Sequence, residues 1–409
     1  MWDFKSENTK SFTHGFHTYP AMMIPQIAKK LINDFGQNAE TLFDPYCGTG
    51  TSLVEANLAG INSIGSDLNP LARLLAKVKT TAIENQTLKL HLLDFDQYLT
   101  QYRFGFQGSD SIIAPSYPRV DYWFSKDVRQ KLAVIQNYID RIGNTDISDF
   151  FKVAFSQTVR DTSWTRNNEF KLYRMTKEAM KVFNPDPYGR MEQMLGKNFI
   201  GLVDFMKAKN NESETDVLNL NTIKNIPKKK MKKESVDLVI TSPPYGDSST
   251  TVAYGQFSTL ANQWLGHFEN GRELDGMLMG GKRASKLRKF ESEALNDNIS
   301  DVEKIDRGRA LDVVSFFSDY EKSIRNISSL LKPNGISCYV VSNRKVKGKE
   351  IFTNTITKDL FKLNGFSHID TYSRNISRKR MPRNNSPTGN VGVTQSLMNK
   401  EYIVVMQKK

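Results

Sequence analysis

Glu40-Thr41-Leu42-Phe43-Asp44-Pro45-Tyr46-Cys47-Gly48-Thr49-Gly50-Thr51 opens the unit that decides the fold. Its first four residues read as a short strand that runs into a glycine-rich loop. Ser52 to Ala59 then reads as a helix, closed by Gly60, which can take the left-handed conformation that ends helices. Ile61 to Ser66 is a second strand, and it stops on Asp67. Strand, glycine loop, helix, strand and acid make the plan of a nucleoside-binding βαβ unit. The loop lets a ligand approach the backbone, and the acid reaches ribose hydroxyls. No Gly-Lys-Ser/Thr follows, so this is not a phosphate loop, and Asp44 would repel a pyrophosphate. An acidic loop suits a ligand with a positive centre and an amine, such as S-adenosylmethionine.

Upstream, Pro25 suits a first helical turn, and Ile24, Ile27, Ala28, Leu31 and Ile32 share one face of a helix. Met1 to Thr13 is polar with Trp2, Phe4 and Phe12 interspersed, and reads as an arm that packs on something. Downstream, Asn69-Pro70 starts another helix, and Leu90 to Leu99 continues helical. From about Tyr102 to Asn211 the strand pattern stops. Helical stretches near Asp127 to Ile142, Ile147 to Arg160 and Met191 to Lys207 make this an insertion between the second and third strands. Within it, Arg160 to Asn168 combines hydrogen-bonding side chains with Trp164, groups that base recognition and a capped helix-to-loop transition would both use.

Asp216 to Asn221 is the third strand and its end, and Ser235 to Ile240 the fourth. Thr241-Ser242-Pro243-Pro244-Tyr245 then forms a rigid elbow, because neither proline donates a ladder hydrogen bond and both fix φ. Carboxyl ends of parallel strands are where open α/β sheets place ligands. Residues Gly266 to Arg309 are basic and read as mobile without a partner. Asp312 to Leu331 is an amphipathic helix, Ile336 to Val341 a fifth strand, and Glu350 to Leu363 one more helix. Two final strands, Ser367 to Ile376 and Glu401 to Gln407, enclose a basic loop. The fold class is α/β: a doubly wound, mostly parallel, seven-stranded Rossmann-like sheet with a helical insertion. The division expected is 1–100 and 212–409 as the two halves of a catalytic domain, with 101–211 as the insertion and candidate target-recognition region.

The 409 residues carry 57 Lys plus Arg against 44 Asp plus Glu, a formal charge of +13 that points to a polyanionic partner. Cys47 and Cys338 are the two cysteines, which leaves no disulfide framework and no cysteine-based metal site; no metal is expected. No charged-then-apolar leader and no long apolar run occur, so a cytoplasmic, prokaryotic protein without a membrane span is expected.

These motifs resemble those of the amino-group DNA methyltransferases, which modify cytosine N4 or adenine N6 with S-adenosylmethionine. Asp44, Pro45, Tyr46, Cys47, Gly48, Thr49, Gly50 and Thr51 look like their cofactor loop, and Asp67 like their ribose-binding acid. His17 to Pro25 looks like the segment that closes over the cofactor's methionine end, which implies cofactor contacts from His17 and Tyr19. Asn221 stands where the family often has an acidic residue near the adenine. Ser242, Pro243, Pro244 and Tyr245 look like the catalytic motif. The resemblance implies double-stranded DNA as partner, a flipped target base, and a cognate restriction endonuclease acting separately. Lys282, Arg283, Arg378, Lys379, Arg380 and Arg383 are the candidate DNA contacts. Serine before Pro-Pro-Tyr leans towards cytosine N4, with adenine N6 as the alternative. An RNA methyltransferase and a catalytically dead DNA-binding subunit are the competing readings. Cytosine C5 chemistry would need a thiolate, and neither cysteine is placed to supply one.

Overall fold

The computed structural model describes residues 2–166, 171–247, 251–267, 271–376, 384–385, 395–396 and 400–409. Seven strands form the main sheet: β1 (Thr41–Asp44), β2 (Asn62–Ser66), β3 (Thr215–Leu218), β4 (Val236–Thr241), β5 (Leu331–Val341), β8 (Phe366–Asn375) and β11 (Lys400–Lys408). Their order is β3-β2-β1-β4-β5-β11-β8. β3, β2, β1, β4 and β5 pair in parallel, and β11 runs antiparallel to both β5 and β8. Short ribbons β6 (Arg344–Val346) with β7 (Lys349–Ile351), and β9 (Asn384–Asn385) with β10 (Gln395–Ser396), stand apart from it.

Apolar residues on successive positions point to opposite faces of a sheet, and here both faces are covered. Leu42, Leu238, Ile240, Cys338, Val340, Ile403 and Val405 pack towards α1 (Pro25–Phe35), α2 (Thr51–Leu58) and the buried Trp2. Phe43, Val239, Tyr339, Val341, Val404 and Met406 pack the other way. The N-terminal arm does pack: the Trp2 ring lies 5.0 Å from Tyr372, and Asp3 accepts the Asn375 backbone N–H at 2.8 Å.

Between β2 and β3 come α3 (Pro70–Thr80), α4 (Asn85–Arg103), α5 (Val120–Trp123), α6 (Lys126–Ile139), α7 (Thr145–Thr162), α8 (Lys177–Val182) and α9 (Pro187–Ala208). After β4 come α10 (Tyr254–Trp264), α11 (Gly271–Met277), α12 (Glu293–Glu303) and α13 (Arg307–Ser328), with α14 (Thr353–Leu363) following the first ribbon. The insertion does not enclose a core of its own. One cluster joins Leu71, Leu75 and Val78 of α3 to Leu88 and Phe95 of α4, Phe150, Phe151 and Phe155 of α7, and Trp264 of α10. Among the described residues no helix is long and apolar enough to cross a membrane.

Two expectations change. Gly266 to Arg309, read as mobile, contains α11 and α12, which pack on α10 and α13. Leu295, Ile299 and Val302 recur at helical spacing and are buried, a signal that the surrounding basic residues obscured. Arg283 and Arg288 of the same stretch are ion-paired to Asp312 and Glu321 of α13. The helix expected from Glu350 begins at Thr353 instead. Lys347 and Gly348 take φ of 50° and 82°, the paired positive angles of a tight hairpin turn, so the residues before it form the β6–β7 ribbon.

Trp264 joins the insertion to the helix after the catalytic motif. It is 1% exposed, with edge-on rings of Phe155, Phe124 and Tyr117 at 5.8, 5.9 and 6.3 Å. Truncating a large aromatic in such a setting costs about 3–5 kcal/mol. Trp264→Ala should lower the denaturant midpoint by an amount corresponding to that loss, and an unchanged midpoint would show that the two helical layers are not coupled there.

Candidate active site

The order in which strands are added reverses between β1 and β4, since β2 and β3 add on one side and β5 on the other. Open α/β sheets bind ligands at the carboxyl ends of such a pair. The β1 end is Asp44 and the β4 end is Thr241, and the Thr241 hydroxyl donates to Asp44 Oδ1 at 2.5 Å. Asp44 also accepts from Ser52 Oγ and from the Tyr46 N–H at 3.1 Å. Burial raises its pKa to about 6 against the pull of these three donors. The loop after β1 is thereby tied to its own helix and to β4.

A cleft opens here. Tyr19 to Met23 form one wall, and Asp44 to Thr49 with Thr51 form the floor. Asp67, Leu68 and Asn69 close the β2 end, Leu220 to Ile223 the β3 end, and Ser242, Pro244, Tyr254, Leu278 and Met279 the opposite side. The two loop glycines serve different ends. A Cβ on Gly48 would meet nothing within 4 Å, so a ligand can approach that backbone closely. A Cβ on Gly50, at φ 76°, would sit 2.9 Å from Ala76 Cβ, so this position needs glycine for packing against α3.

Asp67 Oδ2 accepts the Gly48 N–H at 3.1 Å and Oδ1 the Asn69 N–H at 2.8 Å, which fixes the carboxylate at the cleft edge. Burial pushes its pKa up from the ordinary aspartate value. Asn221 lines the cleft, its Oδ1 accepting the Ile223 N–H at 3.0 Å. These residues fit S-adenosylmethionine: a buried carboxylate for ribose hydroxyls, Leu68, Leu220 and Ile223 for an adenine ring, and an open glycine backbone between them.

The elbow after β4 is held at three points. Thr241 is bonded to Asp44. The Tyr245 hydroxyl donates to Glu401 Oε1 at 2.9 Å and lies 3.2 Å from Ser242 Oγ. Beyond it, Asp247, 2% exposed, is ion-paired to the equally buried Arg344 at 3.2 Å. A Cβ on Gly246 would fall 2.0 Å from Arg344 Nη1, so the clamp requires glycine at that position.

Of the residues singled out in the sequence, Tyr19, Asp44 to Thr49, Thr51, Asp67, Asn221, Ser242 and Pro244 line the cleft. His17, Gly50, Pro243 and Tyr245 stand behind the lining. His17 is fully buried, packs edge-on against Phe257 at 6.2 Å, and is pushed down to about 3 by burial and then by Arg160. It is a neutral packing residue, and Tyr19 carries the wall. Burial pushes both cysteine thiols up, away from thiolate chemistry. Lys282 is exposed, whereas Arg283 is committed to Asp312 at 2.5 Å. Arg378, Lys379, Arg380 and Arg383 lie outside the described residues.

Several cleft residues escaped the sequence reading. Asn69 donates to Tyr19 Oη at 2.8 Å and to Ser258 Oγ at 2.6 Å, and the Tyr19 and Tyr254 rings stack at 6.0 Å. Asn69 heads a helix and reads as a cap, which it also is. Glu401 and Arg344 come from distant strands and carry no local pattern.

The fold and this cleft define an S-adenosylmethionine-dependent methyltransferase. The profile of the RMKL-like methyltransferase domain matches residues 16–102. The chain is 37% identical to the type II methyltransferase M.MvaI of Kocuria varians over 422 aligned positions, covering 99% of this chain and 93% of that protein. It is 39% identical to the type II methyltransferase M.MjaII of Methanocaldococcus jannaschii over 90 residues, 22% of this chain and 17% of that protein. Among solved structures, the rRNA methyltransferase aviRa from Streptomyces viridochromogenes aligns over 95% of this chain and 86% of its own, at 11% identity and a TM-score of 0.32. The chain belongs to the type II DNA methyltransferases.

A cationic ligand binds best when the carboxylate facing it is ionised. With Asp44 at about 6, S-adenosylmethionine affinity should rise between about pH 5 and about pH 6.5, and Asp44→Asn should flatten that rise. His17, pushed down to about 3, lies below that interval, and burial holds His14 below its ordinary value. Lys79, pushed down to about 7, titrates above it. Calorimetric titration at several pH values reads the slope; a slope that survives in Asp44→Asn would remove this carboxylate from the account.

Proposed function

We propose that this enzyme methylates cytosine N4 of a flipped base in duplex DNA, in the cytoplasm of a prokaryotic cell and paired with a separately acting restriction endonuclease. The observation that carries the amine chemistry is the position of Ser242. It lines the cleft on the carboxyl end of β4, across the strand pair from the cofactor loop. Serine, rather than an acidic or amide residue, at the head of Ser242-Pro243-Pro244-Tyr245 supports cytosine over adenine N6.

An exocyclic amine is a poor nucleophile because its lone pair is delocalised into the ring. Hydrogen bonds accepted by Ser242 Oγ and the Pro243 carbonyl localise that pair, and the two prolines keep both acceptors fixed as the reaction proceeds. When bound, S-adenosylmethionine supplies an electrophilic methyl at its sulfonium. The target atom is hidden in a duplex, so the base must leave the stack, and the Tyr245 ring, with its hydroxyl tied to Glu401, is the surface for its face.

The helical insertion is the region to which we assign target recognition. What supports this is a short hairpin on its active-site side. α3 and α7 run in opposite directions, since Lys77 near the end of α3 meets Asp149 near the start of α7. The end of α7 therefore lies beside the cleft end of α3, where Thr18 is bonded to Gln157. Immediately beyond, Thr165 bridges Arg174 in antiparallel fashion. The Arg174 guanidinium sits over the rings of Tyr122 at 4.1 Å and Trp164 at 5.1 Å, and Arg119 covers Tyr122 at 4.4 Å. Arg166 and Tyr173, directly alongside, are exposed. Cations and rings together suit phosphates and a displaced base.

Two experiments test this reading. Ser242→Ala should abolish methyl transfer with cofactor affinity nearly unchanged, and nucleoside analysis of DNA methylated by the native enzyme should yield N4-methylcytosine. Recovery of N6-methyladenine would transfer the same mechanism to the alternative base. Arg166→Ala should lower DNA affinity and reduce the slope of affinity against salt by about one ion, and Tyr173→Ala should weaken cognate more than random DNA. If both leave DNA binding as it was, recognition lies elsewhere.

A further inference from the structure

Ser242 helps the amine only as an acceptor. A serine hydroxyl carries both a proton and lone pairs, and a proton turned towards the amine would engage the very pair that must attack. Something has to set which way that hydroxyl points, and the surroundings of Tyr245 do so. Glu401, on β11, lies directly across from Arg374, on β8, and their side chains are ion-paired at 3.5 Å. Arg374 is 6% exposed, so the pair is largely withdrawn from water.

A carboxylate paired to a guanidinium accepts hydrogen bonds and donates none. The contact of 2.9 Å between Glu401 Oε1 and the Tyr245 hydroxyl therefore uses the single proton of the tyrosine. Burial, and then the neighbouring Glu401, push the Tyr245 pKa well above its ordinary value, so that proton stays in place. The tyrosine oxygen is left with lone pairs only. Ser242 Oγ is 3.2 Å from it, and in that contact the serine must be the donor. Its own lone pairs then face the cleft.

We propose that Glu401 is a positioning residue for methyl transfer: through Tyr245 it orients the Ser242 hydroxyl so that the serine presents only acceptor lone pairs to the target amine. The chain of direction runs Ser242 to Tyr245 to Glu401, anchored by Arg374. An aspartate at the position of Ser242 would be an acceptor in every orientation. A serine needs this second layer, which connects the first residue of the motif to its last and both to the final strand hairpin. The inference rests on Ser242 as the amine's acceptor.

The test is a double-mutant cycle on the full-length enzyme with a cognate DNA duplex. Glu401→Gln and Tyr245→Phe keep the shapes of the side chains and remove the direction of the chain. Each should lower kcat by about tenfold, the worth of one oriented hydrogen bond, while the KM for DNA and the Kd for S-adenosylmethionine stay within about twofold. The double variant should be no slower than the slower single variant, because either change alone frees the serine. Unchanged kcat in Tyr245→Phe, or losses that multiply in the double variant, would overturn the proposal. Melting temperatures control for loss of the Arg374 pair, and if Glu401→Gln does not fold, Tyr245→Phe decides the matter alone. Ser242→Ala separates the two layers. If it is fully active, the acceptor role itself fails; if it is inactive while Tyr245→Phe is not, only the orienting role fails.

Discussion

The bond from the Thr241 hydroxyl to the Asp44 carboxylate is the constraint on which the site depends. Parallel pairing of β1 with β4 sets Leu42 opposite Leu238 and Phe43 opposite Val239, which places the two strand ends side by side. The glycine-rich floor of the cleft follows β1, and the Ser242-Pro243-Pro244-Tyr245 elbow follows β4. Locking the last residue of one to the last residue of the other fixes the spacing between the glycine-rich loop and the elbow. Asp44 is an expensive residue in this role, since burial works against its ionised form. Its three donors offset that cost, and the retained charge suits a cationic ligand.

The elbow after Thr241 gains its rigidity from outside itself. Two prolines restrict its backbone, but the direction of the loop is held by Tyr245 on Glu401 and by Asp247 on Arg344. Both partners come from the second half of the sheet, Arg344 just after β5 and Glu401 on β11. The amine transfer proposed here needs orientation and fixed dipoles rather than a strong base, and an elbow unable to drift suits it. The open lining at Gly48 and the filled space at Gly50 and Gly246 show the same division between surfaces left for a ligand and surfaces closed for alignment.

The legible part of this site was the part that is contiguous in the chain. Residues 44 to 67 form one βαβ unit, so spacing alone carries the loop, the helix and the acid. The short apolar run rich in β-branched residues in β4 carried the strand beneath the elbow. What stayed hidden depends on tertiary pairing. Glu401 is 156 positions from Tyr245 and reads as an ordinary polar residue near the start of a strand. Arg344 reads as one basic residue among many, although its neutralised, buried setting distinguishes it from the exposed ones. His17 was drawn towards the cofactor by its place in the closing segment; the structure shows the segment turning so that Tyr19, two residues on, faces the cleft instead. The helices within Gly266 to Arg309 were masked by composition: Arg283 and Arg288 pair with α13, and charge alone does not separate a paired cation from a free one.

The insertion shares its core with the catalytic half, and this bears on how recognition and chemistry are joined. α7 touches the cofactor wall through Gln157 and Thr18, and its Arg160 guanidinium lies 3.9 Å from the Phe257 ring of α10 while donating to the Phe257 carbonyl. α10 in turn begins at Tyr254, which stacks on Tyr19 in the cleft lining. Among the described residues, α7 is thus packed both against the wall of the cleft and against the helix that follows the elbow. Two domains joined by a linker could bind DNA first and align it afterwards. Under the proposed assignment, the recognition surface and the cleft belong to one packed body, since one cluster joins α3 and α7 to Trp264 of α10.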